Sequence, residues 1–469
     1  MTRMFSRQNY RAIFHAFVAV TALLLYASVA KAQSYEQLYS DYRGSLYQIR
    51  LIEHSSNSKA GLGSGFQISK DGLIATNYHV VSEAVHDADK YVLKYLSVDG
   101  KEGELELLDV DVVNDLAILR QKGTPGPDFL QLASQAPSKG ETIVSMGNPL
   151  DLGMTIVPGT YNGIAGGSFY DRIHFSGSIN PGMSGGPVIN RNGQVVGINV
   201  ATAGNQISFL VPVDKLVALL QDYKKDAGEN NGALELQPII SRQLHQNQQR
   251  IIDQILDAKW QLRPLGDAMV VGEIVPSIQC WGNTSDDEDE LIKQVAKGCT
   301  GQDVVFLSET FDTGRVEYEF FWLESEDDFL SSRFYAAYEE NMSGFFPGNS
   351  AGEDDVTDFN CKQQFTTHPR NGQAQSGDNA EKRENGADAT DEEAQTPPKA
   401  NGSREPVIAR TSYCVRRYKD YPELYDVFYV SLTVDHDNRA LVSHFTLSGF
   451  TQESATAFTQ KFASEVQWH

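Results

Sequence analysis

Between residues 46 and 211 the chain is cut into short apolar runs by turn-forming residues. Residues 46–52 alternate, 61–69 are entered through glycines, and Lys70-Asp71-Gly72 has the composition of a hairpin turn before a return strand at 73–76. Further runs stand at 105–113, 116–119, 143–147, 172–179, 188–190, 194–201 and 207–211. Residues 155–164 read as a strand pair broken by Pro158-Gly159. Turn signals recur at the roughly 8–12-residue spacing of all-β domains, and helical periodicity is almost absent. Strands this short cannot stand alone. They must close into barrels or stack as a sandwich.

One turn within this region carries chemistry. Asn180-Pro181-Gly182-Met183-Ser184-Gly185-Gly186-Pro187 sets a serine between glycines, with strand-like runs on both sides. Glycine allows close approach to the main chain, which exposes a serine hydroxyl and frees neighbouring N–H groups to face a developing negative charge. A serine hydroxyl is a weak nucleophile unless an imidazole takes its proton and a carboxylate orients that imidazole. His79, at the end of the run 73–76, and Asp115, just before the run 116–119, lie upstream in the order His, Asp, Ser. Gly182-Met183-Ser184-Gly185-Gly186 also satisfies the GxSxG pattern of α/β-hydrolases. There the histidine follows the serine and a helix follows the motif, whereas here a strand follows and the histidine precedes.

Gly63-Ser64-Gly65-Phe66, Asn77-Tyr78-His79-Val80-Val81, Asn114-Asp115-Leu116-Ala117, Gly147-Asn148-Pro149, the serine turn and Val196-Gly197-Ile198-Asn199 stand in the order seen in HtrA-type trypsin-like serine proteases. The resemblance covers roughly residues 45–218. It implies a chymotrypsin-like double β-barrel with a catalytic triad of His79, Asp115 and Ser184 between the barrels. It implies an oxyanion hole made by the N–H groups of Gly182 and Ser184. By family position, Ser178 should lie near the base of the pocket for the side chain before the cut bond. A serine there disfavours Lys or Arg and suggests small or medium apolar residues. Ile207, Ser208 and Phe209 are expected to form the edge strand that pairs with substrate backbone. The resemblance also implies protein or peptide substrates, and no cofactor. The glycine-containing loop of a PDZ domain is not recognisable in residues 226–469. An alternative reading is a chaperone-like or regulatory binding protein with a latent triad.

The remainder of the chain divides by composition. Residues 1–32 read as a signal peptide: Arg3, Arg7 and Arg11 precede an uncharged apolar run at 16–30 and the small-x-small Ala30-Lys31-Ala32. That run is short for a bilayer span, so no stable membrane insertion is expected after cleavage. Export to the periplasm, or beyond it, follows from this reading. The formal charge of −23 argues against nucleic acid as a partner. A protease domain is expected over 33–225, with a closing helix at 215–225. A polar linker at 226–233 and an amphipathic helix running to Trp260 would follow, then a smaller α+β domain over 261–469. Within it, 368–405 is polar low-complexity sequence and reads as a disordered insert. Cys280, Cys299, Cys361 and Cys414 are an even set in an exported chain and point to disulfides. Three connectivities are open, and sequential pairing is the expectation. No close Cys/His spacing indicates zinc, and the acidic runs lack the calcium-loop pattern, so no metal is expected.

Overall fold

The structure, a computed structural model, describes residues 34–202, 207–229, 235–285, 291–325, 330–342, 348–368, 370, 406–435 and 438–468. The expected signal peptide and nearly all of the expected disordered insert lie outside these residues.

Strands β1 (Leu46–Glu53), β2 (Ser58–Gln67), β3 (Leu73–Thr76), β4 (Tyr91–Ser97), β5 (Glu102–Asp111) and β6 (Leu116–Gln121) close a barrel in the order β1-β2-β3-β6-β5-β4. The β2–β3 hairpin forms as its sequence predicts. Gly72 takes φ of 81°, a left-handed position that suits glycine, and Ile68 N–H bonds to Leu73 O at 2.8 Å.

The second set comprises β7 (Gln131–Leu132), β8 (Thr142–Gly147), β9 (Thr155–Ile164), β10 (Ile173–Phe175), β11 (Pro187–Ile189), β12 (Gln194–Thr202) and β13 (Ser208–Pro212). They run β11-β8-β9-β10-β13-β12, and a β11–β12 pairing closes the ring; β7 adds in parallel to β12. The chain therefore folds into the double six-stranded barrel that its short strands require. Residues 155–164 form one strand rather than two. Pro158 pairs with Val144 where β9 has a ladder partner on one side only, so its missing N–H breaks no bond. Gly159 lies under the Phe175 ring, where a Cβ would stand 2.4 Å from it.

The barrels pack on each other through Phe66, Leu116, Ile118, Val144, Ile189 and Val211, all buried. Helix α1 (Tyr35–Tyr42) adds Leu38 to this core. After α2 (Ser82–His86), helix α3 (Val213–Glu229) adds Leu216 and Leu219. It starts two residues before the expected closing helix and continues through the first part of the expected linker.

Helix α4 (Leu236–Asp257) buries Ile240, Leu244, Ile251 and Ile255 along one stripe. It lies against β5, where the Gln243 side chain accepts from Val112 N–H at 3.0 Å and donates to Val110 O at 2.7 Å. Beyond it, β14 (Leu262–Leu265), β15 (Ala268–Val271) and β25 (Gln467–Trp468) make a three-stranded sheet. A seven-stranded antiparallel sheet runs β16 (Ile278–Thr284), β17 (Ile292–Gly301), β20 (Val316–Ser325), β24 (Arg439–Thr451), β23 (Leu424–Asp435), β22 (Val407–Arg417), β21 (Asn360–His368). A small hairpin, β18 (Val305–Ser308) and β19 (Phe311–Thr313), leads into β20. Helix α5 (Ser331–Met342) follows β20, and α6 (Gln452–Ser464) covers the sheet with Phe458 and Phe462 packed on Phe445. Cys280 pairs with Cys299 and Cys361 with Cys414, in each case directly opposite across neighbouring strands.

Candidate active site

His79 stands beyond the end of β3, and Asp115 just before β6. The β3–β6 pairing, Thr76 opposite Ala117, brings the two ends together. Asp115 grips the histidine at two points. Its Oδ1 accepts from His79 N–H at 2.9 Å, and its Oδ2 lies 2.7 Å from His79 Nδ1. Asn77 Nδ2 donates to Asp115 O at 2.7 Å. The ring is thereby oriented with Nδ1 toward the carboxylate and Nε2 free. Burial opposes a charge on the imidazole. The Asp115 charge and hydrogen bond together outweigh it, so the His79 pKa lies above its usual value.

Ser184 sits on the turn between β10 and β11. The turn is held by bonds to two strands, β2 and β12. Ser64 N–H donates to Ser184 O at 2.8 Å, Ser64 Oγ donates to Gly182 O at 2.7 Å, and Asn199 Nδ2 donates to Met183 O at 3.2 Å. Gly182 has φ of 92° and Gly185 φ of 82°. A Cβ at Gly185 would meet Ser64 O and Thr76 Oγ1 at 2.3 Å, so the turn cannot accept a side chain there.

Two peptide planes next to the serine are fixed by their carbonyls. Pro181 O accepts from Leu150 N–H at 2.9 Å, and Met183 O accepts from Gly186 N–H at 3.0 Å. In a trans peptide the N–H points opposite to the carbonyl. The N–H groups of Gly182 and Ser184 are thus turned away from those partners, and neither donates to an acceptor among the described residues. Between the serine and the histidine the structure records no hydrogen bond: Ser184 Oγ has no partner among the described residues. Met183 is fully buried in the second barrel.

The remaining expected residues fall differently. Ser178 is exposed on the segment leading to the turn. Ser208 is buried, and its Oγ accepts from Ile179 N–H at 3.3 Å. The expectation that Ile207, Ser208 and Phe209 form an edge strand is corrected. Ser208 and Phe209 pair with Phe175 and His174 on one side and with Thr202 and Ala201 on the other, so both faces of the ladder are taken. Ile207 lies outside the strand and is exposed. The open edge belongs to β12. There β7 and β11 pair only as far as Ile198; beyond it Ala201 has a strand partner on the β13 side alone among the described residues, and Val200 is the bulge residue between the Asn199 and Ala201 pairings.

Ser64, Asn77 and Asn199 stand in the motifs quoted from the sequence, but their roles in holding the site were not read from it. Ser64 and Asn199 carried a signal, since each is a polar residue set within a glycine-bearing apolar strand. Among the described residues no group of three His, Cys, Asp or Glu side chains is placed to hold a metal ion.

Residues 63–198 match the family described as trypsin-like peptidase domain. Serine protease HTRA1 of Xenopus laevis is 37% identical over 166 residues, 34% of this chain and 35% of its own. The probable periplasmic serine endoprotease DegP-like of Brucella suis is 33% identical over 191 residues, 38% of this chain and 36% of its own. The solved serine endoprotease from Yersinia pestis aligns at 25% identity over 41% of this chain and 68% of its own, with a TM-score of 0.37. The chain spans about a third of the length of the curated relatives it matches.

Proposed function

We propose that the chain is an exported serine endopeptidase, a reading supported by the match of residues 63–198 to the trypsin-like peptidase domain and by the likeness to HTRA1 and DegP-like serine proteases. Ser184 Oγ attacks the carbonyl carbon of a peptide bond and passes its proton to His79 Nε2. Asp115 holds the imidazole and stabilises its cation. The oxyanion accepts hydrogen bonds from Gly182 and Ser184 N–H. The C–N bond then breaks, and His79 returns the proton to the leaving amine. Water repeats the sequence on the acyl-enzyme and releases the acid. The observation that carries this reading is the pair of N–H groups beside Ser184 that have no acceptor among the described residues and whose peptide planes are fixed by other bonds.

Residues 33–225 are the catalytic part in this reading. The helix within 226–260 joins it to a second part, 261–469, that docks or selects substrates. Substrate backbone pairs with the β12 edge at Val200 and Ala201. With a serine at 178 and no acidic group in its place, cleavage follows small or medium apolar residues. A peptide-library profile dominated by Arg before the cut would sink that preference. The relatives named as periplasmic support export to that compartment.

Ser184 Oγ, without a hydrogen-bond partner among the described residues, favours a second reading, a binding protein with a latent triad. Fluorophosphonate labelling decides between them. The endopeptidase forms a covalent adduct at Ser184 that Ser184→Ala abolishes. No adduct, with or without added peptides, leaves the binding protein.

A further inference from the structure

Strand β18 alternates. Val305 and Leu307 are buried in the core, while Phe306 and Ser308 are only partly covered. The Phe306 ring meets the His79 ring edge to face, with centroids 6.2 Å apart. The main chain of β18 is fixed in this place from the barrel side. Leu307 O accepts from the Tyr78 hydroxyl at 2.9 Å and from His86 Nε2 at 2.9 Å. Between Phe306 and the open edge of β12 lies a cavity of about 490 Å³. Val112, Asp115, Ala201 and Phe209 line it from the barrels, and Val304 and Phe306 from β18 and its entry. The loop between β9 and β10 also lines it through residues 165–168, and this loop is tied to the same region. Ser168 Oγ bonds Asp303 Oδ2, and Ser277 Oγ donates to Ser168 O at 3.0 Å.

We propose that β18 completes the substrate slot: Val304 and Phe306 form the wall that receives apolar side chains on the amino-terminal side of the cut bond. An extended peptide suits the cavity for three reasons. The edge at Val200 and Ala201 offers main-chain hydrogen bonds. A strand laid on it turns alternate side chains toward one wall. The volume lies within the roughly 300–1,000 Å³ of ligand clefts, and Val304 and Phe306 add apolar surface to a lining that also holds Gln279, Gln302 and Asp303. The proposal rests on the endopeptidase reading, with specificity then set by residues outside the two barrels.

The test uses the full chain with Phe306→Ala and, separately, Val304→Ser, which does not touch His79. Two peptide series carry one or four apolar residues before the cut bond. Each variant should lower the ratio of kcat/KM for long over short peptides by about tenfold, the scale of lost apolar pocket contact. Ser184 labelling is measured alongside. An unchanged ratio in both variants, with wild type labelling normally, overturns the slot alone. A labelling rate that falls in step with long-peptide cleavage in Phe306→Ala, with no effect of Val304→Ser, also overturns it and assigns Phe306 to holding His79. Wild type that fails to label overturns the endopeptidase reading and the slot with it.

Discussion

Asp115 has φ of 60°, a left-handed conformation that costs most residues about 1 kcal/mol or more but that Asp and Asn tolerate. The conformation turns its carboxylate back toward His79, where it meets both the main-chain N–H and Nδ1. Asp115→Asn keeps the backbone and loses the charge. Burial then acts on the imidazole without its counterweight, and the His79 pKa drops. Activity requires neutral His79, so in the wild type the acid limb of kcat/KM against pH should lie above the ordinary imidazole value of 6.5. In Asp115→Asn the limb should move to lower pH while kcat falls by about 10⁴-fold. A limb that stays in place, measured on one peptide across the acid range, would mean that Asp115 does not set the histidine's charge.

The elements beyond the barrels are secured at their outermost strands. In the seven-stranded sheet both edges, β16 and β21, carry a cysteine bonded to its opposite number on the next strand in. Strand β21 needs this most, since nearly every side chain along it is exposed. The bridge at Cys361 and Cys414 closes a sequence separation of 53, for which the chain-entropy estimate is about 4 kcal/mol. Replacing both cysteines by serine should speed amide exchange across β21 and leave β20 and β24 protected; equal protection in β21 before and after would refute the role. The same exposure explains why β21 was illegible. Asn360-Cys361-Lys362-Gln363-Gln364 offers no apolar alternation, and the strand exists because β22 pairs with it. The barrel strands other than β4, at 91–97, were legible because alternation and turn residues are local. His79, Asp115 and Ser184 were legible as candidates because each lies in a short motif. The edge assignment at 207–209 failed for the opposite reason. Whether a strand is an edge depends on sheet order, which no local pattern records, and Phe306 reaches His79 only through the tertiary fold.

Across the whole molecule one apolar core runs without interruption from the first barrel into the second half of the chain. Ile49, Ile74 and Val110 of the barrel, Ile240 and Ile251 of α4, and Tyr318 and Phe445 of the large sheet belong to it. A chain ended at Glu229 would expose the barrel face that α4 covers. It should be recovered mainly as aggregate, and any soluble part should melt below the full chain. A truncated form that matches the full chain's melting temperature would contradict a shared core. The Tyr78 hydroxyl donates to Leu307 O across 229 positions of sequence, next to the histidine. Leu307 itself stands in that core, and the hairpin it belongs to is tied to later strands by Gly314 N–H on Ser448 O at 2.9 Å. During synthesis, therefore, the loop that carries His79 receives its last fixed contact only when residues some way past 440 have emerged and paired. The site's surroundings are thus completed by residues that leave the ribosome long after the barrels themselves.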